Sequence, residues 1–215
     1  MLEIFIKILP LMLGTLFAPV ILGLAIFLLA SKTSPIKKIL SYLSGDVFVV
    51  IIYAVVGWLI GSGILNMQGV SPHSKRIVDI VIGVIFIILG VIVVFRKSKS
   101  DEEQIAREEK KNLGLLKWFS IGFIANFSNF DAVALYITTN KEINQSTILI
   151  EEKIILIIVA ALFFLLPVLL PLILYLIAPR ISKKTLKPVY SFSLKYGKYV
   201  TMAIFFIFGI YLIIR

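Results

Sequence analysis

Asn126, Ser128, Asn129 and Asp131 fall within six consecutive positions of the otherwise apolar stretch GFIANFSNFDAVALY, residues 122–136. An ionised carboxylate at hydrocarbon depth costs at least about 3 kcal/mol on insertion scales. Asp131 must therefore carry its proton, meet a cation in a polar cavity, or stand at the end of a half-helix near water. The first two outcomes suit proton or cation traffic. The third also admits a purely structural role, capping a broken helix. Asn126 and Asn129 are three residues apart and share a helix face; Ser128 and Asp131 share another. One regular helix cannot aim all four at one narrow stripe. Either two neighbouring helices each receive a polar pair, or the backbone unwinds here. Asparagines that merely join helices to one another are the structural alternative.

No Lys or Arg stands near the centre of an apolar run to pair with Asp131. Lys117 is about 20 Å away along the same helix, at about 1.5 Å per residue. Asp46 and Asp79 lie at span ends and read as boundary or capping residues. A second interruption is expected at Pro19, preceded by Gly14, Thr15 and Ala18. Proline has no N–H and its ring clashes with the carbonyl four residues back, here that of Thr15. A carbonyl freed in this way must face protein or a watery cavity. Thr15 and Pro19 thus join the four polar residues as candidates for a substrate or ion site. Pro167 and Pro171, four apart in FFLLPVLLPLILYLIAPR, are expected to bend their helix and are the candidate hinge; a static kink is the alternative. Gly57 and Gly61 form a small-xxx-small face of the kind that packs helices closely.

The elements that must hold these residues are membrane helices. The 215-residue chain is 60% hydrophobic with a mean hydropathy of +1.03, more apolar surface than a soluble domain can hide. Six apolar runs stand out, roughly Ile4–Ala30, Val47–Leu65, Ile77–Phe95, Trp118–Thr139, Ile154–Ala178 and Tyr199–Ile214. Each is long enough for a bilayer core of about 30 Å. The first run is too long for a signal-peptide core and reads as a retained helix. With no cysteine there are no disulfides or thiolate sites, and with His73 as the single histidine there is no His-rich metal centre. A metal ligand set is not identified, and no cofactor is expected. An intramembrane serine protease needs a base at depth, and an aspartyl protease needs two aspartates there. Only Asp131 qualifies, so the chain does not read as an enzyme.

Sixteen of the 22 Lys and Arg lie in the connections after the first, third and fifth runs. The positive-inside rule places that side in the cytoplasm and both termini outside. The net charge of +10 is thereby a topology signal and an attraction for anionic lipid headgroups; nucleic acid is not an expected partner. VIFIILGVIVVFR (84–96) aligns without gaps on AIFFIFGIYLIIR (203–215), pairing Phe86 with Phe205, Gly90 with Gly209 and Arg96 with Arg215. A repeat of three crossings inverts its second copy, and sites in such folds sit near the midplane, where interrupted helices of both halves meet. The expected fold is an all-α integral membrane protein, six transmembrane helices forming two inverted three-helix repeats. Residues 1–97 and 114–215 are the repeats, and 98–113 is a charged cytoplasmic linker.

The order of motifs resembles a known group. FAPVILGLAIFLLAS (17–31), GD…GWLIG (45–61), GVIVVFR (90–96) and FIANFSNFDAVALY (123–136) are similar to the layout of the lysine-exporter (LysE) superfamily. The likeness is greatest to its peptidoglycolipid-addressing, or sulfolipid-addressing, family. Members often carry an Asn-Pro-Lys-like element in the fourth span; here Asn129-Phe130-Asp131 stands in its place, without the proline and with an acid for the base. The resemblance implies export of a lipid-linked molecule, with metal-cation or amino-acid export as the alternative. A non-transporting assembly subunit or lipid scaffold is a third reading. The expected setting is the plasma membrane, with membrane lipids and a small-molecule or lipid-linked substrate as partners and a homodimer among the expected assemblies.

Overall fold

Proline opens four of the helices: Pro19, Pro35, Pro72 and Pro179 each stand first in theirs. At that position the missing N–H is not needed and the fixed φ already suits the helix. The computed structural model describes residues 1–31, 33–66, 72–95 and 114–214. Within them the chain is all helix: α1 Leu2–Thr15, α2 Pro19–Leu29, α3 Pro35–Asn66, α4 Pro72–Phe95, α5 Leu115–Phe127, α6 Phe130–Gln145, α7 Ile150–Ile177 and α8 Pro179–Ile214. The charged stretch 100–112 lies outside the described residues, as do the ends of the expected linker.

Among the described residues, three helical stretches are long and apolar enough to cross a membrane: Pro35–Gly63, Ile150–Ile177 and Lys195–Ile214. Two helix pairs meet the same test together, each bent at a short break: α1 with α2 at 59° and α5 with α6 at 74°. Within α4 the apolar stretch is shorter, Ile80–Ile92. The chain is a multi-pass membrane protein. Its outward faces agree: Phe48, Ile51, Val55 and Leu59 form an exposed stripe on α3, while Val49, Val50 and Tyr53 on the opposite side are buried. In water such a stripe would be an aggregation surface; in lipid it is the contact face.

Some element limits differ from the sequence expectation. The second span begins at Pro35 rather than Val47, and the last helix runs unbroken from Pro179. Lys37, Lys38, Ser41, Ser44 and Asp46 dilute the hydropathy of the first turns of α3 without breaking its hydrogen bonding. α7 passes through Pro167 and Pro171 as one helix, and both prolines are buried.

Glycine decides how closely α3 packs. A Cβ on Gly45 would reach 2.7 Å from the Phe123 nitrogen of α5; one on Gly57 would reach 2.6 Å from the Ile137 carbonyl of α6; one on Gly61 would reach 2.9 Å from Asn144 Cβ. The two helices of the second bent pair therefore lie in near-backbone contact along a single α3. The Gly57/Gly61 face expected from the sequence is this contact. Elsewhere, α4 crosses α8 at Gly83 and Gly209, whose backbones approach each other reciprocally. The Phe86 and Phe205 rings meet edge to face with centroids 5.1 Å apart.

Candidate functional site: two broken helices and the seam beside them

Both breaks use one backbone recipe. In the first, Leu16 and Phe17 donate N–H bonds to the carbonyls of Leu13 and Gly14 (3.2 Å each), three residues back. Ala18 then turns out of the helix at φ −113°, ψ 75°, as the residue before a proline is pushed to do. The helix restarts when Leu22 N–H reaches Ala18 O at 2.9 Å. In the second, Asn129 N–H bonds Asn126 O at 3.1 Å, Asn129 turns out at φ −85°, ψ 64°, and Val133 N–H reaches Asn129 O at 2.9 Å. Here no proline forces the turn. Ser and Asn, poor helix-interior residues, supply the weak point.

The loose carbonyls are caught. Thr15 Oγ1 donates to Met12 O at 2.7 Å. Across the second break, Tyr53 of α3 donates its hydroxyl to Phe127 O at 3.3 Å while its ring stacks on Phe127, centroids 5.7 Å apart. An opened backbone in a bilayer persists only with such partners.

The polar residues expected at the site are distributed by the break. Ser128, the last cap of α5, is exposed. Asn129 is the first cap of α6, yet its side chain makes no capping bond and its buried Nδ2 has no hydrogen-bond partner among the described residues. Asp131 is half-buried in the first turn of α6, where a helix N-terminus favours negative charge. Asn126 is buried one turn before the break and points at α3. The unwound alternative is thus the observed one. On the first break, Thr15 is buried with its hydroxyl turned back on its own helix, and Pro19 is half-buried as the first residue of α2.

Two polar groups correct the sequence expectation. Asp46 is not a boundary residue near water: it is fully buried, well inside α3, with Asn126 lying against its carboxylate. Lys141 lies two residues beyond the expected end of the fourth apolar run at Thr139, yet α6 carries the run Thr138 to Asn144 inside the fold, with Lys141 1% exposed and Glu142 3%. Lys7 of α1 bonds Glu142, and Lys141 Nζ stands 3.6 Å from Glu142 Oε1. Asn144 donates to Trp58 O at 2.7 Å. A usable signal did exist for Asp46. Lys38, Tyr42 and Asp46 recur every four residues, as do Trp118, Gly122 and Asn126, each set one helix face. For Lys141 a helix ending at Thr139 hid the signal.

The arrangement offers polar groups in a membrane-embedded interior, interrupted backbone at two places, and buried charge on the side where α1 and α6 meet. No curated protein and no solved structure matches the chain. The family described as Sap, sulfolipid-1-addressing protein, matches residues 8–215. That match spans both breaks and nearly the whole chain, so the chain belongs to the sulfolipid-1-addressing protein family.

Proposed function

We propose that the protein is a transporter that moves a lipid-linked amphiphile outward across the plasma membrane by alternating access between two inverted halves. The observation that carries this reading is the pair of matched breaks, at Leu16–Ala18 and Ser128–Asn129. Interrupted helices in corresponding positions of two halves are the mark of a transporter's binding region. The family's lipid connection supports an amphiphilic substrate.

Six crossings fit the packing. Met1 lies 4.0 Å from Glu152 and Lys7 bonds Glu142, which brings the start of α1, the end of α6 and the start of α7 to one side. Arg76 donates to the carbonyls of Ile213 and Ile214, which joins the start of α4 to the end of α8; we read these as lying on the same side. Ser41 donates to Leu115 O, which joins the starts of α3 and α5; we read these as the other side. The Lys- and Arg-rich connections fall on that second side, which we read as cytoplasmic. Inverted halves fit the ring pair of Phe86 and Phe205, equivalent positions of the aligned segments that meet each other, as positions near a two-fold axis must.

In this reading Asp131 senses the coupling proton or cation. Asn126, Ser128, Asn129 and Thr15 line the substrate path, and Pro19, Pro167 and Pro171 let their helices flex. The test reconstitutes the full chain in vesicles carrying a fluorescent-headgroup glycolipid and follows its movement between leaflets by quencher access. Wild-type protein moves the lipid, and Asp131→Asn and Asp131→Ala, inserted at equal levels, lose most of that activity. Full activity in both variants removes Asp131 from the mechanism. No movement by the wild type favours a lipid scaffold.

A further inference from the structure

The seam between α3 and α5 holds polar groups that the breaks do not use. The Lys38/Tyr42/Asp46 face of α3 meets the Trp118/Gly122/Asn126 face of α5 where Gly122 leaves room; a Cβ there would stand 3.2 Å from Asp46 Oδ1. Asp46 is 0% exposed, about 16 Å along α3 from its first residue. Both its carboxylate oxygens, the Tyr42 hydroxyl and the Trp118 indole nitrogen lack hydrogen-bond partners among the described residues. Asn126 lies against the carboxylate without completing a bond, and Tyr42 is within electrostatic range of it. Lys38 is two turns away, about 12 Å along the axis. Its ammonium is engaged by Ser31 Oγ at 2.6 Å and Thr33 Oγ1 at 3.0 Å, and lies 5.8 Å from the Trp118 ring.

A buried carboxylate with both oxygens unsatisfied is among the costliest arrangements a fold can hold. What would satisfy it must be small and positive. The oxygens to hand are hard ligands: the carboxylate, a phenol and a carboxamide. One negative charge balances one positive charge; a divalent ion would leave net charge at membrane depth, which is itself costly. The geometry points to a site for a small monovalent cation, a proton or a sodium ion, held by Asp46 with Asn126 and Tyr42 as neutral ligands. The site stands on the α3–α5 geometry and does not depend on lipid movement.

Other titratable groups lie on the elements packed around it. On α3 they are Lys37, Lys38, Tyr42 and Tyr53, and on α5 Lys117. On α6 they are Asp131, Tyr136, Lys141 and Glu142, and on α7 Glu151, Glu152, Lys153 and Tyr175; α2 has none. Glu151, exposed at the start of α7 and outside the transport path, supplies the carboxyl control.

Trp118 gives the readout, because Trp58 is the other tryptophan of the two. In a Trp58→Phe background, emission from the purified full chain is titrated in two arms, sodium chloride against choline chloride at fixed pH, and pH in choline alone. A saturable change in one arm is expected, and which arm responds tells sodium from proton. The change is lost in Asp46→Asn and kept in Glu151→Gln, and its midpoint moves several-fold in Tyr42→Phe. Silence in both arms, or an undiminished response in Asp46→Asn, overturns the site. Should Asp46→Asn not insert, Tyr42→Phe and Asn126→Ala decide, and unchanged titrations in both overturn it as well.

Discussion

Single atoms set the tolerance of this fold where backbones touch. A Cβ on Gly122 would collide with the Tyr42 carbonyl group and crowd Asp46. Neither helix backbone can rotate aside, so Gly122→Ala should cost about 1–3 kcal/mol through overpacking. Gly63 has nothing within 4 Å of the added carbon, so Gly63→Ala should be neutral or gain up to about 1 kcal/mol from the helix. Thermal unfolding in detergent orders the two variants against wild type; equal melting points would contradict the close seam. The buried charges make a second residue-scale prediction. Glu142→Gln removes the buried carboxylate that Lys7 bonds and that Lys141 approaches, at a cost of about 3–5 kcal/mol. Lys7→Met leaves Glu142 with Lys141 at 3.6 Å and should cost clearly less in the same melt.

The helices show why the two breaks need separate explanations. Pro19 imposes the first through the backbone of Ala18, and any side chain at Ala18 would feel the same push. The second rests on Ser128 and Asn129, whose side chains merely permit it. Asn129 occupies the capping position but makes no capping bond, so Asn129→Ala should shift stability by no more than about 0.5 kcal/mol. A larger loss in the detergent melt would show that Asn129 holds the break rather than lining it. With stability intact, any loss of lipid movement in this variant belongs to the site.

For the molecule as a whole, the absence of cysteine makes topology directly testable. Thr147, in the turn between α6 and α7, and Thr33, between α2 and α3, are both exposed. A membrane-impermeant maleimide should label Thr147→Cys in intact cells, and Thr33→Cys only after permeabilisation. The reverse pattern would turn the protein over in the membrane. Labelling of both from one side would break the alternation of crossings.

Hydropathy and proline were enough to read the apolar helices, the first interruption and the Gly57/Gly61 contact, because each depends on local sequence: apolar length, a missing N–H, a missing Cβ; the second interruption was one of two outcomes that the polar run left open. The same local view misplaced Asp46 and Lys141. A polar residue near the end of an apolar run looks solvated until another helix covers it, and what covers Asp46 is α5, carried there through Gly45 and Gly122 from far along the chain. Lys141 is likewise enclosed by α1, which brings Lys7 to Glu142. Burial is a property of the contact between distant segments, and only the tertiary structure decides which polar side chains the bilayer interior must contain.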